Sequence, residues 1–73
     1  MSTYEVKSDV TGSVWKILTR IGQRIDAGEP LMIIESMKME IPVVIEDAGT
    51  LVELRVAEGQ SVSEGQIVAL VDI

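Results

Sequence analysis

Short apolar runs bounded by glycine recur along this 73-residue chain. Valine and isoleucine fill 19 of the positions, and such β-branched residues favour strands. Glycine also marks the turns between the runs, because it adopts positive φ without steric strain. The pattern predicts five strands and two very short extended pieces: Val14–Thr19, Leu31–Glu35, Glu40–Ile45, Leu51–Val56 and Ile67–Asp72, with Ile25 and Val62 as the short pieces.

The second half of the chain repeats the first. Three pairs of glycines share one offset, because 49 − 12, 59 − 22 and 65 − 28 all equal 37. The apolar positions between them align at the same offset without a gap. We therefore predict a single domain over residues 1–73, with like units at about 12–35 and 49–72 and a hairpin link at 36–48. Short strands at this spacing predict an all-β sandwich or barrel, and two like halves usually pack about a pseudo-twofold axis.

Residues 32–41 also fit an amphipathic helix, since apolar side chains recur four positions apart. Pro42 opposes that interpretation, because proline lacks an N–H and favours an extended conformation at the residue before it, Ile41. We therefore predict a strand ending near Ser36, a tight bend over 37–39, and a second strand that carries Pro42 at a sheet edge or irregular position. The helix is the alternative.

Composition excludes several classes of function. The chain has no cysteine and no histidine, so disulfides, imidazole metal sites and Ser-His or Cys-His catalysis are excluded. Its net charge of −6 argues against nucleic acid and anionic membranes as partners. The longest apolar run is far shorter than the roughly 20 residues of a membrane helix, and the first residues do not resemble a secretory signal. We expect a soluble cytoplasmic protein that is not an enzyme by itself.

Lys38 lies at the middle of the chain, inside the predicted link between the two units. In a twofold β-sandwich the central hairpin projects at one end and the two termini meet at the other. We therefore expect this lysine on a rigid turn from which it can be presented to other proteins. The alternative is an ordinary solvated surface charge.

The stretch Glu35-Ser-Met-Lys-Met-Glu40, with Gly12-Ser-Val-Trp-Lys before it and Gly49-Thr-Leu-Val-Glu after it, resembles the biotinyl domain family. These are the biotin carboxyl carrier domains of biotin-dependent carboxylases, close kin of the lipoyl domains. The similarity runs from about Ser8 to Asp72. It implies a flattened barrel of two four-stranded antiparallel sheets. It also implies that a biotin protein ligase attaches biotin to Lys38 through an amide bond.

The resemblance further implies a carrier role. The attached biotin would take carboxylate from a biotin carboxylase site to a carboxyltransferase site, and the chain itself would catalyse neither step. Some carriers have an extra loop, or thumb, after the first strand of the first unit. The gapless offset leaves no room for one, so we expect a free-standing, thumbless form in which the biotin is freer to move than in carriers with a thumb.

The residues beside Lys38 are expected to take part in recognition of the tip by the ligase and partner enzymes. Met37 and Met39 offer flexible apolar surface, with ordinary packing as the alternative. Glu35 and Glu40 either help the ligase identify the turn or are solvated charges. Ser36 stands where many family members have alanine, and a serine is small enough for a tight bend.

Two other functions compete with the biotin carrier. A lipoyl carrier would hold lipoate on the same lysine, although lipoyl domains typically present Asp-Lys-Ala or a similar triplet at this position. An unmodified barrel-sandwich module, acting as a scaffold or adaptor, would need no lysine there. Trp15, the single tryptophan, is expected to be a half-buried sheet residue rather than a binding platform.

Overall fold

Eight β-strands form two antiparallel sheets of four strands each. A computed structural model describes residues 2–73, and within that range the chain contains no helix. One sheet has the order β1-β8-β6-β3 and the other β5-β4-β2-β7. The predicted all-β fold is therefore confirmed. The strands are β1 (Thr3–Lys7), β2 (Gly12–Ile17), β3 (Arg24–Ile25), β4 (Pro30–Ser36), β5 (Met39–Val44), β6 (Gly49–Leu54), β7 (Ser61–Val62) and β8 (Ile67–Asp72).

The core lies between the two sheets, where aliphatic side chains from both halves of the chain meet. Most positions follow the pleat of a strand, which directs alternate side chains inward, and the adjacent residues Leu31 and Met32 are both buried. Burying one such side chain contributes about 1.5–3 kcal/mol. In the described range every buried side-chain nitrogen or oxygen has a hydrogen-bond partner. The fully buried aliphatic side chains include Ile25, Leu31, Ile34, Leu51, Val68 and Val71.

Backbone hydrogen bonds repeat at the same offset of 37 residues. The amide of Gly22 donates to the carbonyl of Leu51, and its counterpart Gly59 donates to Val14, both at 2.7 Å. The glycine turn of each half is thus hydrogen-bonded to the backbone of the other half. Exchanging β1–β4 for β5–β8 converts the strand order of one sheet into that of the other. The predicted pseudo-twofold relation is confirmed.

The pairing of strands shifts register at equivalent positions in the two halves. The shift between β2 and β4 skips Trp15, and the shift between β6 and β8 skips Val52. Such a β-bulge re-aims the side chain of the extra residue. The Trp15 side chain is 48% exposed, and the Lys16 Nζ lies 5.8 Å from its ring centroid. Trp15 thus lies in a sheet, as expected, and about half of it is exposed.

Several strand bounds differ from the prediction. The predicted strands Val14–Thr19 and Leu51–Val56 begin and end two residues earlier, at Gly12–Ile17 and Gly49–Leu54. The reason is that the glycines themselves pair with neighbouring strands: Gly12, for example, pairs with Val62.

The first strand was missed, because it precedes the repeat that begins at Gly12. Only Val6 is buried in β1, so its hydrophobic signal is weak. The helical alternative for residues 32–41 is wrong, since these residues form β4, a turn and β5. Pro42 lies on β5, an edge strand, as predicted. No helix in residues 2–73 is long and apolar enough to cross a membrane.

Candidate functional site: the hairpin tip

A two-residue turn joins β4 to β5. Ser36 pairs with Met39, and the two residues between them have positive φ, 51° for Met37 and 67° for Lys38. Positive φ at both central residues is typical of a type I′ turn, whose twist matches that of the flanking strands. We call residues 36–39 the tip. The short turn predicted from the sequence is present, although it is one residue shorter.

The conformation of this turn is strained for the side chains it carries. Asparagine and glycine are the residues that favour a type I′ turn. A residue with a Cβ in the left-handed region is destabilised by about 1–2 kcal/mol. Within residues 2–73 no other non-glycine residue has a positive φ. Because such strain is concentrated at functional sites, the turn is a candidate site on backbone geometry as well as on sequence.

The side chains of the tip project into solvent. Met37 is 92% exposed and Met39 is 63% exposed, and the Lys38 side chain is exposed between them. Among the described residues the one ion pair joins Arg55 to Glu53, so the Lys38 ammonium has no acidic partner. The tip thus presents a primary amine, a nucleophile towards activated acyl groups when deprotonated, beside two apolar side chains.

The termini occupy the position equivalent to the tip. Ser2 and Ile73 exchange two backbone hydrogen bonds, at 3.3 and 2.9 Å. At the repeat offset of 37 residues, Ser2 corresponds to Met39 and Ile73 corresponds to Ser36. This pair is therefore the counterpart of the pairing between Met39 and Ser36 at the tip. The pseudo-twofold axis therefore exchanges the tip with the chain ends.

The tip and the termini are at opposite ends of a molecule about 36 Å long. The turn that precedes β8 lies beside the tip, because the Glu64 amide donates to the Thr11 hydroxyl and the Ser36 hydroxyl donates to the Thr11 carbonyl. From there β8 runs six residues to Asp72, which pairs with Thr3. At about 3.3 Å per residue this separation is about 20 Å. Lys38 is accordingly far from any covalent connection at the termini.

Two carboxylates face each other immediately below the tip. Glu35 and Glu40 are direct cross-strand partners, and both side chains are exposed. Like charges in that position destabilise a strand pair. At the other end of the molecule the counterpart pair is Asp72 and Thr3, where the threonine hydroxyl donates to the carboxylate at 3.1 Å. The strand pair below the tip therefore keeps a repulsive pair where the equivalent place at the other end has an attractive one.

The structure brings together all six residues that the sequence marked as a site. Glu35 and Ser36 end β4, Met37 and Lys38 form the turn, and Met39 and Glu40 begin β5. Sequence reasoning missed Thr11, whose carbonyl oxygen accepts a 2.8 Å hydrogen bond from the Ser36 hydroxyl. The two residues are 25 positions apart, and no sequence pattern connects them.

Several known proteins are similar to this chain in sequence and in fold. A family described as "Biotin-requiring enzyme" matches residues 3–71. The biotin/lipoyl attachment protein of Bacillus subtilis (strain 168) is 39% identical over 62 residues, 85% of each chain. The biotin carboxyl carrier protein of Streptococcus mutans is 41% identical over 54 residues, 74% of this chain and 42% of that protein. The crystal structure of Kluyveromyces lactis urea carboxylase matches with a TM-score of 0.91 and 30% identity, over 97% of this chain and 6% of that one.

Proposed function

We propose that this chain, which belongs to the biotin/lipoyl attachment family, is a biotin carboxyl carrier modified on Lys38. The observation that carries the proposal is the placement of this lysine in a strained turn, exposed and opposite the termini. Asparagine or glycine would satisfy the backbone better, so the presence of lysine there needs a reason other than folding. Attachment of an acyl group to its amine supplies that reason.

The tip fits the attachment of biotin. Lys38 Nζ, once deprotonated, would attack the activated carboxyl carbon of biotin within a biotin protein ligase. The new amide bond would replace the bond to the activating group, which leaves, and the side chain would lose its positive charge. Met37 and Met39 would offer the ligase and partner enzymes apolar surface that adapts to each of them.

The chain's part in the reaction is to hold the biotin and to carry it between the two active sites. When bound, biotin supplies a ureido nitrogen that holds the carboxylate on its way from a biotin carboxylase to a carboxyltransferase. The rigid hairpin would keep the attachment point away from the rest of the domain. Attachment through a short flexible link would keep the biotin at an effective concentration in the millimolar range near each active site. In this proposal the chain catalyses neither step, and it works in the cytoplasm, where ATP and bicarbonate are available to the carboxylase.

Glu35 and Glu40 are proposed as recognition residues for cationic surfaces on the ligase and the partner enzymes. Their direct opposition destabilises the hairpin, and the equivalent pair of Asp72 and Thr3 shows that this fold accommodates an attractive pair in that place. A partner that places a lysine or arginine between the two carboxylates would relieve the repulsion. Complementary charges of this kind also steer the encounter of two proteins.

A lipoyl carrier is the second candidate, because the name of the Bacillus subtilis relative covers both prosthetic groups. Lipoate would attach to the same amine through the same amide bond. The methionines on both sides of Lys38 favour biotin, since lipoyl domains typically carry an acidic residue and alanine there. An unmodified scaffold is the remaining alternative.

Enzymatic acylation distinguishes these functions. The purified chain would be incubated with ATP and either a biotin protein ligase and biotin or a lipoate ligase and lipoate, and its intact mass would be measured. We expect one biotinyl group per chain. The biotinylated chain should then gain label from radioactive bicarbonate in the presence of a biotin carboxylase and ATP. Acylation by lipoate alone would support the second candidate, and a chain that accepts neither group would overturn both.

A further inference from the structure

One hydroxyl side chain connects the tip to the bend at residues 8–11, and two others hold the bend itself. The Ser36 hydroxyl donates to the Thr11 carbonyl at 2.8 Å, and the Thr11 hydroxyl accepts from the Glu64 amide at 3.0 Å. The Ser8 hydroxyl, which is buried, donates to the Val10 carbonyl at 2.7 Å. We call Ser8, Thr11 and Ser36 the hydroxyl brace. It fixes the shape of the bend and joins the base of the tip to it.

The brace is absent from the equivalent end of the molecule. The backbone there is the same: Gly65 donates to the Ser8 carbonyl at 2.7 Å, and Gly28 donates to the Ile45 carbonyl at 2.8 Å. The side chains differ, because every counterpart at the offset of 37 is aliphatic. The counterparts are Ile45 for Ser8, Ala48 for Thr11 and Ile73 for Ser36. This fold therefore forms the same bend without hydroxyl groups, and the brace occurs only at the end that carries Lys38.

Ser36 is where the hairpin loses its support from the sheet. Pairing between β4 and β2 ends at Glu35, which pairs with Ser13. Beyond that point β4 pairs only with β5, and β5 is an edge strand. The bond from the Ser36 hydroxyl to the Thr11 carbonyl continues the connection one residue further, up to the turn itself. It restrains the direction of a hairpin that one neighbouring strand alone would hold.

We propose that Ser36 is a positioning residue, which through the hydroxyl brace holds Lys38 in the orientation that its modifying ligase binds. This inference rests on the proposed function. A preorganised turn loses less conformational freedom when a partner binds it, so the brace should lower the KM of the ligase for the chain. The chemical step occurs at Lys38 Nζ and does not involve Ser36, so kcat should not change.

The test is steady-state biotinylation of the full chain by a biotin protein ligase, with four proteins compared. Ser36→Ala removes the hydroxyl, and Ser36→Thr keeps it. Ser61→Ala, at an exposed serine of β7, is the matched control. We expect Ser36→Ala to raise KM by about 2–10-fold, the range expected from one neutral hydrogen bond. Its kcat should match the wild type, and Ser36→Thr and Ser61→Ala should keep the wild-type KM.

An unchanged KM in Ser36→Ala, a loss confined to kcat, or a failure of Ser36→Thr to restore KM would overturn the inference. If the wild-type chain is not biotinylated at all, the proposed function fails instead. Hydrogen exchange of the Met39 amide in the unmodified chain then tests separately whether the hydroxyl brace restrains the hairpin. We expect exchange about 2–10-fold faster in Ser36→Ala than in Ser61→Ala, because opening of the Ser36→Ala hairpin breaks one hydrogen bond fewer. Equal exchange rates would refute the brace.

Discussion

Replacing Lys38 by glycine is expected to stabilise the unmodified chain, although it removes the amine on which the proposed function depends. Lys38 has a φ of 67°, in the left-handed region that a Cβ disfavours. Glycine occupies this region without strain. If the lysine side chain stabilised the turn, its replacement by glycine would instead destabilise the chain.

The size of the effect follows from two opposing contributions. Removing the Cβ from a left-handed conformation relieves about 1–2 kcal/mol. Glycine also gives the unfolded chain more freedom, which destabilises the fold by about 0.5–1 kcal/mol. The difference is a net stabilisation of up to about 1.5 kcal/mol, with about 0.5–1 kcal/mol at the centre of the range. For a domain of this size each kcal/mol changes Tm by about 4–8 °C, so Tm should rise by about 2–8 °C.

Chemical denaturation followed by far-ultraviolet circular dichroism measures this change, with two matched controls. Lys38→Arg keeps the charge and the demand for positive φ, so its free energy of unfolding should equal that of the wild type. Lys16→Gly makes the same substitution within β2. There glycine relieves no strain and also removes the contact of Lys16 with the Trp15 ring, so we expect a loss of at least about 0.5–1 kcal/mol. The denaturant m-value should be the same for all variants, which shows that the folded and unfolded states are comparable.

The reasoning is refuted if Lys38→Gly and Lys16→Gly destabilise the chain equally. The turn would then not be strained at Lys38, and the argument that lysine is retained there for its chemistry would lose its physical basis. A loss of several kcal/mol in Lys38→Arg would likewise contradict the account, because it would make the lysine side chain a structural element.

Three further substitutions test other parts of the structure by the same denaturation assay. Glu40→Thr should stabilise the hairpin by about 0.2–1 kcal/mol, because it removes the repulsion with Glu35, and the gain should shrink at high salt. Ile34→Ala should destabilise the fold by about 2–5 kcal/mol, a large share of the stability of a small domain, since its side chain is fully buried. Arg55→Ala should change stability by less than about 1 kcal/mol, because its ion pair with Glu53 is about half exposed.

For each of these three substitutions, one outcome would contradict the expected change in stability. A destabilised Glu40→Thr would mean that the two carboxylates do not repel each other or that Glu40 makes a favourable contact. A loss below about 1 kcal/mol in Ile34→Ala would contradict its place in the core. A loss above about 2 kcal/mol in Arg55→Ala would mean that the surface ion pair is a major source of stability.

Glycine spacing carried most of the fold prediction, because the turns at Gly22 and Gly59 require positive φ and recur in both halves. Pro42 then separated strand from helix around Lys38. The pattern failed where pairing departs from simple alternation. The bulges at Trp15 and Val52 interrupt the alternation of buried and exposed residues. The two strands that contain them begin two residues earlier than predicted, because Gly12 and Gly49 pair with neighbouring strands.

The candidate site was predictable only as far as it is local in sequence. A short hairpin places residues 35–40 together, so the sequence alone found the tip. The tie between Ser36 and Thr11 depends on how β2 and β4 pair, and no short pattern encodes that contact. The strain at Met37 and Lys38 was also hidden, because neither residue type is typical of a type I′ turn.

The most direct test of the central claim is to ask which lysine is acylated. The chain has three lysines, Lys7, Lys16 and Lys38, and all three side chains are exposed, so exposure alone does not select one. After incubation with a biotin protein ligase, biotin and ATP, intact mass and peptide mapping would compare Lys38→Arg with a variant in which Lys7 and Lys16 are both arginine. We predict one biotinyl group on the double variant, at the wild-type rate, and none on Lys38→Arg. Biotin on Lys7 or Lys16, or an unmodified double variant beside a modified Lys38→Arg, would contradict the account.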